Sequence, residues 1–148
     1  LLKKNGIKAV NCTVNNGLNQ NDVLRKICAK CNIVKDADLH IAIHFNSGMN
    51  DKKGDGSTGG TEVLLTKNVA DKGDIAKRVC KQMERLGFTN RGVKADEDLY
   101  FLNHTKGPAI LIETCFVDDR DDYILYKSDK DAVAKAIVKA VLSHNKAA

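Results

Sequence analysis

Two apolar runs in this sequence end in side chains able to bind a metal or carry a proton. One reads Ile41-Ala42-Ile43-His44-Phe45-Asn46, the other Ile110-Leu111-Ile112-Glu113-Thr114-Cys115. A carboxylate closing a buried run is costly to leave bare, because an apolar interior solvates charge poorly. A bound metal would compensate Glu113. So would a Lys or Arg at the rim of a sheet, and the residues alone leave both open.

The other groups with chemical potential read more plainly. The five cysteines are Cys12, Cys28, Cys31, Cys80 and Cys115, an odd number that makes no complete disulfide set. Cys28 and Cys31 lie in the helical pattern Leu24, Ile27, Cys28, Cys31, Val34, which turns both thiols to its apolar face. A redox pair of this spacing opens a helix, where the dipole lowers the thiol pKa; this one closes a helix. No second pair has zinc spacing. Buried, reduced thiols and synthesis in a reducing cytoplasm are the expectation, with the export route open. Asp118-Asp119-Arg120-Asp121-Asp122 suggests calcium, but carboxylates in the first turn of a helix are accounted for by the dipole. No Gly-containing loop of calcium-site spacing accompanies them.

The elements that must position His44 and Glu113 follow from periodicity. Leu1 to Gly6 reads as the last turn of a helix stopped by Asn5-Gly6, so a helix beginning upstream of Leu1 is predicted. A short strand is expected at Ile7–Cys12, a helix over 21–35 and a strand over Asp38–Phe45. Residues 46–60 hold the glycine maximum and read as a mobile surface loop. Then come a strand at Thr61–Leu65, a helix over 69–86 stopped by Gly87, and a polar loop over 88–98. A short apolar segment at Leu99–Leu102 precedes a strand at Ala109–Ile112 and a short helix over 118–126. The last helix runs from Lys130 to about Ser143, with Ser128 and Asp131 resembling a capping box. Alternating strands and helices predict an α/β fold: a three-layer α/β/α sandwich with a twisted, mostly parallel sheet. In such sheets ligands meet the carboxyl ends of strands.

Composition narrows the function classes. The chain has 148 residues, the length of one domain, and 1–148 is read as a single catalytic domain. Hydrophobic residues at 43% and charged residues at 29% argue against disorder. No apolar run nears the ~18 residues of a membrane span. The net charge of +5 comes without a run of basic residues, and aromatics are 5% with no Trp. That is not the basic, stacking surface of a nucleic-acid binder, although it suits an anionic polymer.

Four segments in order carry a family resemblance: Asp38 to Asn46, Gly60-Thr61-Glu62-Val63, Asn90-Arg91-Gly92-Val93-Lys94, and Pro108 to Val117. Together they resemble the zinc-dependent N-acetylmuramoyl-L-alanine amidases of bacterial autolysins and phage endolysins, over nearly the whole chain. The resemblance implies a Zn2+ cofactor, with His44 matching a zinc ligand that ends a strand and Glu113 matching the catalytic acid/base. It implies peptidoglycan as substrate and partner, cleaved between N-acetylmuramic acid and L-alanine, with no nucleic acid, no membrane and a monomer acting on the bacterial cell wall. It also implies two further ligands, a His after a first strand and a Glu on a first helix, both expected upstream of residue 1, so the 148-residue chain alone is expected to bind zinc weakly and to be poorly active.

Local replacements for those ligands are poor. His40 lies four residues before His44, ~13 Å along an extended strand, while zinc sits only ~2 Å from a ligating nitrogen. It is expected to pack between sheet and helix. His104 reads as a loop residue, with lining of the cleft as the alternative. Cys115 is expected on Glu113's face of its strand as a small buried residue, and His144 is expected to be exposed near the end of the last helix. The Gly-rich loop after Asn46 is expected to wall the substrate groove. Two other classes stay open: a wall-binding module without catalysis, and a small-molecule-binding α/β domain. No Gly-x-Gly-x-x-Gly or phosphate loop follows a strand, which counts against a nucleotide.

Overall fold

The computed structural model describes residues 1–66 and 73–143. Among them the chain forms α1 (Gln20–Ile33), β1 (His40–Asn46), β2 (Thr61–Leu65), α2 (Gly73–Glu84), β3 (Asn90–Ala95), α3 (Tyr100–His104), β4 (Ala109–Phe116), α4 (Arg120–Ser128) and α5 (Lys130–Leu142). This is the expected α/β fold, and the four strands make one sheet in the order β1-β4-β2-β3. β1 runs parallel to β4 and β2 parallel to β3, but β2 and β4 are antiparallel. The sheet predicted to be mostly parallel is therefore mixed, and its sense reverses at the centre.

Central strands of such sheets are covered on both faces and read as continuous apolar runs. β4 obeys this, with Ile110 and Ile112 fully buried. Its alternate residues feed different clusters, as the period of two requires. Ile110 and Ile112 join Val63 and Leu65 of β2, Val79 and Met83 of α2, and Val133 and Ile137 of α5. Ala109 and Leu111 join Cys28 and Cys31 of α1 and Phe101 and Leu102 of α3, with Ala42 and Leu64 packed against them.

Local signals end the helices where the sequence places them. Asn19 caps α1 by accepting from the Asp22 amide at 3.0 Å, and Gly87, at φ +103°, closes α2. The predicted start of α2 over 69–72 lies outside the described residues. The cap of α5 differs from the predicted box: Asp129, not Ser128, accepts from the Ala132 amide at 2.8 Å, while the Ser128 hydroxyl turns back to the Leu125 carbonyl. A carboxylate one residue nearer the helix wins the free amide.

Three segments differ from expectation. Residues 7–12 form no strand and pair with none of the four; Val10 stays exposed and only Cys12 packs inward. Alternation without a ladder partner does not make a strand. Conversely, the polar loop expected over 88–98 contains β3, an edge strand with one side pairing to β2. The apolar segment at 99–102 is the start of α3, whose Phe101 and Leu102 are buried.

Candidate active site

The register of the sheet brings the two predicted site residues side by side. His44 of β1 stands opposite Glu113 of β4, Glu113 stands opposite Glu62 of β2, and Glu62 stands opposite Gly92 of β3. The four residues form one row across the sheet, at the carboxyl ends of β1 and β4. They share the face of Ala42, Leu111 and Leu64, the face that packs toward α1 and α3.

Two irregularities sit on this row. Past His44 and Glu113 the pairing resumes at Asn46 and Phe116, so β4 holds one residue more than β1 across the step. A bulge of this kind breaks the alternation and re-aims side chains. Cys115 accordingly joins the cluster of Ile110 and Ile112, not the face of Glu113 as the unbroken alternation predicts. Burial, with Asp122 and Asp119 nearby, pushes its thiol up to about 12, which leaves it protonated and inert. The second bulge lies in β3: Thr61 pairs with Asn90 and Glu62 with Gly92, which leaves Arg91 as the extra residue. Gly92 takes φ +80° there, a conformation glycine adopts freely.

Glu113 is partly buried, and its Oε2 is a buried oxygen with no hydrogen-bond partner. Burial first, and then the charge of Glu62, raise its pKa above the ordinary carboxylate value. The His44 ring is solvent-accessible, yet desolvation by the surrounding sheet end lowers its pKa and favours the neutral imidazole a metal requires. A neutral imidazole beside an orphaned carboxylate suits a metal ligand next to a proton carrier. A catalytic zinc takes three protein ligands, and among the described residues His44 is the one imidazole on this row. The one group of three metal-ligating side chains among the described residues is elsewhere: Asp51, Asp55 and Asp121, with carboxylate oxygens within 4.8 Å of one another.

The rim cations that could have paired with Glu113 are taken by Glu62. Arg91 Nε donates to Glu62 Oε2 at 2.8 Å and Lys94 Nζ to the same oxygen at 2.5 Å. Asn46 Nδ2 donates to Oε1 at 3.1 Å. Burial opposes ionisation of Glu62, but the hydrogen bonds and charges of Lys94 and Arg91 outweigh it and hold the carboxyl below its ordinary pKa. Sequence reasoning quoted Glu62 within a motif and gave it no role. The signal was available: a Glu inside Thr-Glu-Val-Leu-Leu raises the same burial question as Glu113.

The remaining candidates are dispersed. His40 is buried, but against the turn before β4: a Cβ on Gly107 would lie 3.0 Å from its Nε2. His104 stacks on Tyr100 at 3.7 Å and bonds that residue's carbonyl through Nδ1, away from the row. His144 lies outside the described residues. Cys28 and Cys31 are buried in α1 as expected, and all five thiols are free.

The acidic run does more than complement a helix dipole. Asp118 accepts from the Gly48 and Asn50 amides, Asp119 from Gly59, Asp121 from Asp55 and Gly56, and Asp122 from Gly60 and Phe116. The loop over 47–60, expected to be mobile, is thus fastened along its length. Its last residue fits closely: Gly60 has φ +91°, and a Cβ there would meet the Thr89 carbonyl oxygen at 2.0 Å.

Residues 1–143 match the family described as N-acetylmuramoyl-L-alanine amidase. The fold is similar to the catalytic domain of the CD27L endolysin targeting Clostridia Difficile, with a TM-score of 0.77 and 32% identity, covering 96% of this chain and 75% of that one. The sequence is 30% identical over 110 residues to an endolysin of Bacillus phage SPP1, covering 68% of this chain and 36% of that protein. It is 31% identical over 113 residues to the N-acetylmuramoyl-L-alanine amidase LytC of Bacillus subtilis (strain 168), covering 73% and 22%. The chain spans from about a fifth to about a third of the length of the curated relatives it matches. Through that match over residues 1–143, the chain belongs to the N-acetylmuramoyl-L-alanine amidase family.

Proposed function

We propose that this chain hydrolyses the amide between N-acetylmuramic acid and L-alanine in bacterial peptidoglycan, with Zn2+ as cofactor. The observation that carries the reading is the adjacency of His44 and Glu113, with Glu113 Oε2 buried and unpartnered. Glu113 takes the proton of the attacking water and passes it to the leaving amine; burial and the charge of Glu62, which raise its pKa, help it hold the proton between the two steps. His44 supplies a neutral imidazole ligand. When bound, Zn2+ supplies Lewis-acid polarisation of the scissile carbonyl. The loop over 47–60, fastened to the end of β4, forms a wall of the groove beside the row.

In this reading residues 1–148 work as one catalytic domain, a three-layer α/β/α arrangement with a twisted sheet, acting as a monomer on the cell wall. The reading includes neither nucleic acid nor membrane as a partner. The test is incubation of the chain, in a form that also carries the two further ligands the resemblance implies, with purified peptidoglycan and zinc, followed by labelling of new amino termini. Release of peptides beginning with L-alanine is expected. Release of reducing sugar ends instead, or of no product from that form, contradicts the reading.

A further inference from the structure

We propose that Glu62 is a positioning residue that captures the rim cations and so keeps Glu113 free of an ion-pair partner. The inference rests on amide hydrolysis at this row. An acid/base carboxylate held by a fixed cation is a poor proton carrier, because the cation stabilises only its charged form. The row makes such capture a real hazard. Glu62 and Glu113 are directly opposite in an antiparallel pair, where Cβ atoms lie ~5 Å apart. A cation that reaches one carboxylate therefore reaches the other by a change of side-chain rotamer.

The structure holds both cations on the Glu62 side. The bulge at Arg91 lets it and Lys94 reach the same oxygen, Glu62 Oε2, from residues that a regular strand would turn to opposite faces. Arg91 has further anchors: its Nη1 donates to the Gly59 carbonyl at 3.3 Å, and its guanidinium lies 5.0 Å from the centre of the Phe116 ring. Lys94 has none of these, is half-exposed, and has a flexible four-carbon stem. Lys94 is the cation that Glu62 must hold. Asn46 fills the other oxygen of Glu62, so the carboxylate is fixed from three sides and only 7% exposed.

The substitution Glu62→Gln removes the charge and keeps an oxygen for Asn46. Glu113, directly opposite position 62, is then a carboxylate that Lys94 can turn to. Activity on purified peptidoglycan with zinc is expected to fall at least tenfold in kcat, with KM within about twofold. Adding Lys94→Met to Glu62→Gln is expected to restore kcat to within about threefold of the parent. A crystal structure of Glu62→Gln is expected to place Lys94 Nζ within ion-pair distance of Glu113. A double variant that folds yet is as slow as the single, or a single variant as fast as the parent, overturns the proposal. If Glu62→Gln alone does not fold, the double variant decides: folded and active supports it, folded and slow overturns it. A parent form that carries all three ligands and is inactive on peptidoglycan defeats the hydrolytic reading instead, and the position of Lys94 in the variant crystal still reports whether Glu62 holds the cation.

Discussion

A metal ligand and a proton carrier need opposite treatment by their surroundings. At His44, loss of water favours the neutral ring, the form that donates a lone pair. At Glu113, burial and the neighbouring Glu62 favour the protonated carboxyl. His44→Ala is expected to lower the zinc content of the purified chain, read by elemental analysis; unchanged zinc contradicts the ligand role. Two glycines separate space from conformation. Gly60 and Gly92 both have positive φ, but an added Cβ meets the Thr89 carbonyl at Gly60 and nothing at Gly92. Gly92→Ala is expected to cost about 1–2 kcal/mol for the left-handed backbone alone, and Gly60→Ala clearly more, measured by urea unfolding. Equal costs would mean that the approach to Thr89 is not tight. His44 and Glu113 stand out as candidates in the sequence because each ends an apolar run, a place where a polar group demands a reason. The burial of Glu62 raises the same question, but the place proposed for it could not be read, because it depends on which strand lies beside β4, and neighbours in a sheet do not follow chain order.

Among the elements, the junction of the Gly-rich loop and α4 decides how the end of β4 is held. Asp122 is fully buried and accepts from two amides, Gly60 and Phe116. Asp122→Ala leaves both amides without that acceptor and is expected to destabilise the chain by roughly 2–5 kcal/mol, seen as a lower urea midpoint. A loss under 0.5 kcal/mol would show that the loop is not fastened there. At the start of α1, hydrogen bonds from Lys26, the Leu18 amide and Arg25 hold Asp22 well below the usual carboxylate range. A depressed folded pKa gives stability that is full above the unfolded value near ~4 and lost as pH falls below it. Asp22→Asn is therefore expected to flatten the fall in melting temperature below pH ~4; an unchanged slope would contradict this. The helices were legible from period and stop signals, as at Gly87. The edge strand β3 was not: it shows the periodicity of a loop because one apolar side chain, Val93, packs inward. The segment over 7–12 errs the other way, with a strand's alternation and no partner strand.

At the scale of the whole molecule, the site exists because a mixed sheet brings distant chain segments into register. β1 lies beside β4 although β2, α2, β3 and α3 come between them in sequence. The α/β class could be read from the order of elements, but the antiparallel centre could not, because periodicity carries no strand direction. That reversal sets Glu62 opposite Glu113, the arrangement on which the proposed role of Glu62 rests. The most direct measurement is the rate of L-alanine amino-terminus release from purified peptidoglycan by Glu113→Gln, with zinc content measured alongside. Loss of the proton carrier is expected to slow release by about 10²–10⁴-fold with zinc content unchanged. Release at the parent rate would show that Glu113 does not carry the proton.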